Sequence, residues 1–257
     1  DVTAALAFLF TPDFSQLTST SLLLALGQAF FSVGVGVGFM MTYGAYLPRE
    51  VSVPHAAFVI AAVDTVIALL AGLVIFPIVF ASNLNPAEGP GLVFVTMPVA
   101  FGGMGLGHVI GVLFFLLLSL AAYTTTLGML EPIVSYLEER WQTSRRTLAV
   151  VAGGSIWIVG FLPALSDNVL ADIRPLSFIG AMSEMSFFGV FDFVTASVLL
   201  PINALLIALF SGWVIAGSAL QRELAMKHDV FFTVWQVLMR YIVPVAVLVI
   251  LISGFIQ

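Results

Sequence analysis

Six stretches of this chain are long and apolar enough to cross a hydrocarbon core, at residues 22–47, 54–81, 108–137, 147–165, 192–216 and 231–256. A spanning helix needs about 20 largely apolar residues. The joints between the stretches are polar or rich in Pro and Gly: LPREVSVP (47–54), NLNPAEGPG (83–91), ERWQTSRRT (139–147), PALSDNVLADIRP (163–175) and QRELAMKHD (221–229). Charged residues fill only 9% of the 257 positions, against about 25% in an ordinary soluble domain. That leaves too little polar surface for water, so the chain reads as a single all-α membrane domain of about six spanning helices. The same scarcity leaves no basic patch of the kind nucleic-acid binding requires. With no cysteine, disulfides and thiolate metal sites are excluded.

The distribution of Lys and Arg gives the orientation. Arg49, Arg140, Arg145, Arg146, Arg222, Lys227 and Arg240 fall on one side or at helix ends near it, and Arg174 falls on the other. Cytoplasmic loops are enriched in Lys and Arg, which puts the joints at 47–54, 139–147 and 221–229 inside. The N-terminus and the segments 83–107 and 164–190 then face outward. The 83–107 segment mixes Pro86, Pro90 and Pro98 with apolar residues and is expected to fold back onto the protein. The 164–190 segment is open to the same reading. A first residue outside, with no helix before it, points to further helices upstream.

The first stretch is not an ordinary helix. Residues 27–38 read GQAFFSVGVGVG, with Gly34, Gly36 and Gly38 at alternate positions. Each glycine costs about 1 kcal/mol against alanine in a helix interior. Glycines that let membrane helices pack closely recur every three or four residues on one face, whereas these recur every two. The spacing therefore predicts a break, with residues near 33–37 non-helical. At bilayer depth, irregular backbone is tolerated only against protein or a water-filled cavity. Transporters use such breaks to hold ions and substrates.

Intramembrane polar residues point the same way. Asp64 lies near the middle of the second stretch, where a carboxylate is costly unless paired, protonated or coordinating. Glu131 precedes Pro132 in the third stretch, and both structural and functional readings of it stay open. The run Ala121-Ala122-Tyr123-Thr124-Thr125-Thr126 places residues 121, 124 and 125 on one helical face. Threonines in membrane helices usually bond back to the preceding turn. Two hydroxyls and a loosened carbonyl would nonetheless offer hard oxygen ligands to a small alkali cation, and Met129 follows one turn below Thr125. His55, His108 and His228 sit at span ends without ligand spacing. No convergent His/Ser/Asp cluster suggests an enzyme.

These residues carry a resemblance. The run ALGQAFFSVGVGVGFMMTYGAYLPRE (25–50) resembles the sixth helix of the neurotransmitter:sodium symporters, in the bacterial amino-acid branch. The likeness continues through DTVIALLAGLVIFPIVF (64–80), EGPGLVFVTMPVAF (88–101), YTTTLGMLEPIVSYLEE (123–139) and FDFVTASVLLPINALLIALFSGW (191–213). These transporters have two inverted five-helix repeats around a midplane site. The chain is similar to the second repeat plus one further helix, the sixth to eleventh helices of the family.

The resemblance implies sodium-coupled symport of an amino acid, with two sodium sites in the complete transporter and no organic cofactor. Ser32 and Asp64 would serve the first sodium, and the Ala121 carbonyl, Thr124 and Thr125 the second. Chloride-dependent members need an anion near the first site; Ala68 stands where some relatives hold a carboxylate, so Asp64 would have to serve here. Phe31 matches the aromatic lid over the substrate, and Asp192 the acidic half of an outer gate. Substrate would meet Phe31, Ser32, Gly34, Val37, Thr125 and Met129. Val37 departs from the aromatic residue of some relatives, leaving substrate size open. The remaining ligands would come from five N-terminal helices, in cis or in trans. The alternative is a transport-inactive fragment or assembly partner that needs a separate N-terminal half.

Overall fold

The computed structural model describes residues 2–48, 50–86, 91–166, 168–226 and 229–255. Of the residues used above, Arg49, Pro90, Lys227 and His228 lie outside the described residues. The described secondary structure is helical: α1 (Val2–Phe10), α2 (Ser19–Val33), α3 (Phe39–Tyr46), α4 (Val53–Ala81), α5 (Leu92–Gly102), α6 (Gly107–Trp141), α7 (Arg145–Ala164), α8 (Phe187–Val214), α9 (Gly217–Glu223) and α10 (Val230–Ser253). Among the described residues, α4, α6, α7, α8 and α10 are each long and apolar enough to cross a membrane. The pair α2 and α3 supplies the broken sixth, interrupted at Gly34–Gly38. Apolar side chains such as Phe58, Leu117, Val150 and Phe231 stand exposed along these helices, as expected where lipid or further protein is the solvent.

Four helical segments are wound wide, as π-helix, at Leu92–Thr96, Phe193–Leu199, Phe210–Val214 and Leu238–Ile242. Three of them end two residues before a proline: Pro98, Pro201 and Pro244. Proline lacks an N–H, so the carbonyl four residues earlier loses its donor. In hydrocarbon such a carbonyl needs another partner, and that of Arg240, four residues before Pro244, accepts from Trp213 Nε1 at 3.3 Å. The wide winding itself ends just before each proline, where Met97 N donates to Leu92 O, Leu200 N to Thr195 O, and Val243 N to Leu238 O, each five residues back.

The chain forms two compact units. The first comprises residues 1–18 and 58–127. Its core is Val79, Met97 and Phe101, with Ile75, Leu92 and Phe114 packed around them. The segment after α4 thus folds back as a short helix: α5 buries Met97 and Phe101 against the end of α4 and the start of α6. A small helix that composition did not reveal, α1, also packs here. Phe8 lies 4.8 Å from Phe76 and 5.6 Å from Phe80, ring centre to ring centre.

The second unit comprises residues 19–57 and 128–257. Here α10 runs along α8. Leu200, Ala204 and Ala208 are buried at four-residue spacing on α8, and Val247 and Ile250 are buried on α10. The alanines permit close approach of the two backbones, the usual device where packing rather than hydrophobicity holds membrane helices together.

Candidate functional site

The break between α2 and α3 is built by its glycines. Gly34, Gly36 and Gly38 have φ of 74, 88 and 96°, a left-handed backbone that costs an L-residue about 1–2 kcal/mol. Gly34 N donates to Phe31 O, Val35 N to Phe30 O, and Val37 N to Gly34 O, closing an irregular turn instead of a helical ladder. Gly34 and Gly36 are buried and Val37 is half-buried. The Phe39 ring covers Gly34. Gly36 lies on the backbone of α8, and the Asn203 side chain on that helix donates from Nδ2 to the Gly36 carbonyl.

Above the break, a cavity of about 320 Å³ opens between α2, α8 and α10. Phe31 and Asp192 both line it, together with Gln28, Ser197 and Ser253. The lid and gate candidates therefore share one cavity wall. Ser32 is exposed at the end of α2, two residues before the break.

In the first unit, Asp64 is half-buried in the middle of α4. On α6, Thr124 Oγ1 donates to the Ala121 carbonyl at 2.8 Å, and Thr125 Oγ1 donates to the same carbonyl at 3.1 Å. Three neutral oxygens thereby gather on one exposed face. Each hydroxyl spends its proton on the carbonyl and keeps lone pairs free, the donor chemistry a hard alkali cation takes. Met129 is exposed one turn further along α6.

Glu131 is held by a cluster. Arg145, at the start of α7, donates from Nη2 to both its oxygens and from Nη1 to Glu138 Oε2 at 3.1 Å. Tyr46 Oη, at the end of α3, donates to Glu131 Oε1 at 2.7 Å, and Ser135 Oγ donates to the same oxygen at 3.2 Å. Glu131 therefore ties the second half-helix to the α6–α7 hairpin, and Tyr43 adds a contact by resting its hydroxyl on Gly128. Neither Tyr46 nor Arg145 was recognisable as its partner from spacing, since they lie 85 and 14 residues away. Asn203 could have been found: it is the one polar side chain between Val198 and Phe210, the pattern that singled out Asp64.

Comparison with known proteins agrees with this architecture. A model of the sodium:neurotransmitter symporter family matches residues 2–257. An uncharacterised sodium-dependent transporter of Bacillus subtilis, YhdH, is 36% identical over 249 residues, covering 96% of this chain and 54% of the relative. An uncharacterised sodium-dependent transporter of Haemophilus influenzae is 32% identical over 250 residues, covering 97% and 53%. The crystal structure of MhsT in complex with L-phenylalanine superposes with a TM-score of 0.86 at 37% identity, covering 98% of this chain and 56% of that one. The chain thus spans about half the length of the relatives it matches. Its all-helical multi-pass fold, the broken helix and the match along residues 2–257 place the chain in the sodium:neurotransmitter symporter family.

Proposed function

We propose that this chain forms the C-terminal half of a symporter that carries an amino acid into the cell with sodium. The observation that carries the reading is the break itself: a helix opened by three left-handed glycines in a chain of a sodium-symporter family. Loosened backbone of this kind can present carbonyls to an ammonium group and half-helix ends to ions. The L-phenylalanine bound to MhsT supports an amino acid as substrate here, with Gly34, Val37 and Met129 receiving its side chain. Phe31 closes over it, Asp192 stands at the outer gate, and Ser32 and Thr125 complete the contacts.

Two sodium ions accompany the substrate. Ser32 and Asp64 bind the first, and the Ala121 carbonyl, Thr124 and Thr125 bind the second. A hard cation needs about six oxygens to replace its water, by analogy with other hard cations. The second site has three neutral ones on this chain, so the five helices of the first repeat complete both sites. The N-terminus of this chain faces outward and the Arg-rich joint at 139–147 faces the cytoplasm, where the Glu131–Arg145–Tyr46 cluster closes the inner end of α3.

The test is sodium activation of amino-acid uptake by the complete transporter in proteoliposomes, with Asp64→Ala against the parent. The variant should reach the membrane in similar amount and need far more sodium for half-maximal uptake. An unchanged sodium dependence removes Asp64 from the site.

A further inference from the structure

A primary amide inside an apolar span is costly when unpaired, so the partner of Asn203 is informative. It lies in the middle of α8 and meets the break. Leu200, Pro201 and Ala204 around it are buried, and a Cβ added at Gly36 would stand 2.5 Å from the Leu200 carbonyl oxygen and 3.3 Å from Ala204 N. The break therefore rests on α8 backbone against backbone. Phe30, Phe31, Gly34 and Gly38 each accept a backbone amide. The Gly36 carbonyl takes the Asn203 amide instead. Three glycines at positive φ leave this segment intrinsically pliable, while a binding site built from backbone must be held in one geometry by its supports.

We propose that Asn203 is a positioning residue: its amide pins the Gly36 carbonyl and so fixes the shape of the break on which the substrate pocket at Gly34 and Val37 depends, without touching substrate. The proposal rests on the symport reading above for its transport readout. Neither α2 nor the break carries an ionisable side chain, and α3 brings only Tyr43 and Tyr46. The charged group that α10 brings to α8 is Arg240, bonded to the Gly212 carbonyl nine residues beyond Asn203. On α8 itself, Asp192 lies eleven residues before it.

The decisive variant is Asn203→Asp, which keeps the shape and removes the donor. At neutral pH its carboxylate would oppose the Gly36 carbonyl, acceptor against acceptor. Once protonated, it can donate an O–H to the same oxygen. In the complete transporter, uptake of L-phenylalanine at saturating sodium should show KM raised roughly 10–100-fold at neutral pH, the size expected for an unmet buried carbonyl, with turnover changed less. The ratio of variant to parent KM should fall back as pH is lowered, whereas Asn203→Leu should stay impaired at every pH. A ratio flat with pH for Asn203→Asp, or a loss confined to turnover, would overturn the proposal.

A second readout does not depend on the substrate. Amide hydrogen exchange at Val35 and Val37 should be faster in both variants at neutral pH, with Asn203→Asp slowing toward the parent on acidification after correction for intrinsic rates. Should the parent transporter take up no amino acid, the symport reading fails and hydrogen exchange alone decides on Asn203. Exchange unchanged by either variant overturns the positioning role.

Discussion

Alanine at the three glycines of the break should produce unequal losses, and the inequality comes from what each Cβ would meet. All three positions are left-handed, so each alanine costs about 1–2 kcal/mol in backbone strain alone. At Gly38 that is nearly the whole cost, since the nearest atom is the Met41 terminal methyl at 3.9 Å. At Gly34 the Cβ would lie 2.6 Å from Cζ of Phe39, a ring edge on a side chain that can rotate aside. At Gly36 it would meet the Leu200 carbonyl oxygen at 2.5 Å, and helix backbone cannot step away. The break would have to lift from α8, losing the Asn203 bond as well as packing, which brings the total to about 3–5 kcal/mol. The assay is thermal unfolding of the detergent-solubilised transporter, followed by tryptophan fluorescence and by the monodisperse fraction after heating. Gly44→Ala is the control, because that helical glycine has nothing within 4 Å and alanine there should be neutral or stabilising by up to about 1 kcal/mol. The expected order of loss is Gly36, then Gly34, then Gly38. Equal losses at all three positions would refute the seating of the break on α8, leaving backbone strain as the whole effect.

Two further outcomes follow from the polar groups. Tyr46→Phe and Glu131→Gln should each destabilise the C-terminal end of α3 by about 1 kcal/mol, and a double-mutant cycle should show the losses to be non-additive, because both variants cut the same cluster; additive losses would mean that Tyr46 and Glu131 act independently. If Asp64 serves the first sodium as proposed, transport should be chloride-independent; replacing chloride with gluconate should leave uptake nearly unchanged, and a large fall would mean that another anion is required.

How much of this could be read from the sequence depended on whether a feature is local. The long apolar helices were legible because hydrocarbon thickness sets their length, and α4 and α6 run through the stretches that hydropathy marks. The break was legible because glycine at every second position conflicts with every helical packing period, and the structure opens between Val33 and Phe39. The helix α1 was not, since nine residues are too few to register as a span and its order comes from Phe8 against Phe76 and Phe80. The wide turns were not legible: Pro98, Pro201 and Pro244 follow three of them, but Pro77, Pro132 and Pro163 sit in ordinary α-helix. Thr124 and Thr125 bond back to Ala121 as their spacing implied. The role of Glu131 needed a partner 85 residues away in Tyr46, which no local pattern shows. Asn203 was readable as an isolated polar residue, though its target on the break was not.

Whether the chain is the C-terminal half of a sodium-coupled symporter can be decided by equilibrium binding of radiolabelled leucine, tryptophan, tyrosine and L-phenylalanine in detergent, in sodium against potassium. The 257-residue chain would be compared with the same chain joined, in cis or as a second polypeptide, by the five helices of a first repeat. A carboxylate brought into low dielectric without donors costs several kcal/mol, and on the proposed reading the first repeat supplies those donors and the remaining oxygens for the cations. The chain alone should therefore show no saturable sodium-dependent binding, with saturable binding in sodium but not potassium once the first repeat is present. Micromolar sodium-dependent binding by the chain alone, or none after the repeat is restored, would contradict the half-transporter reading.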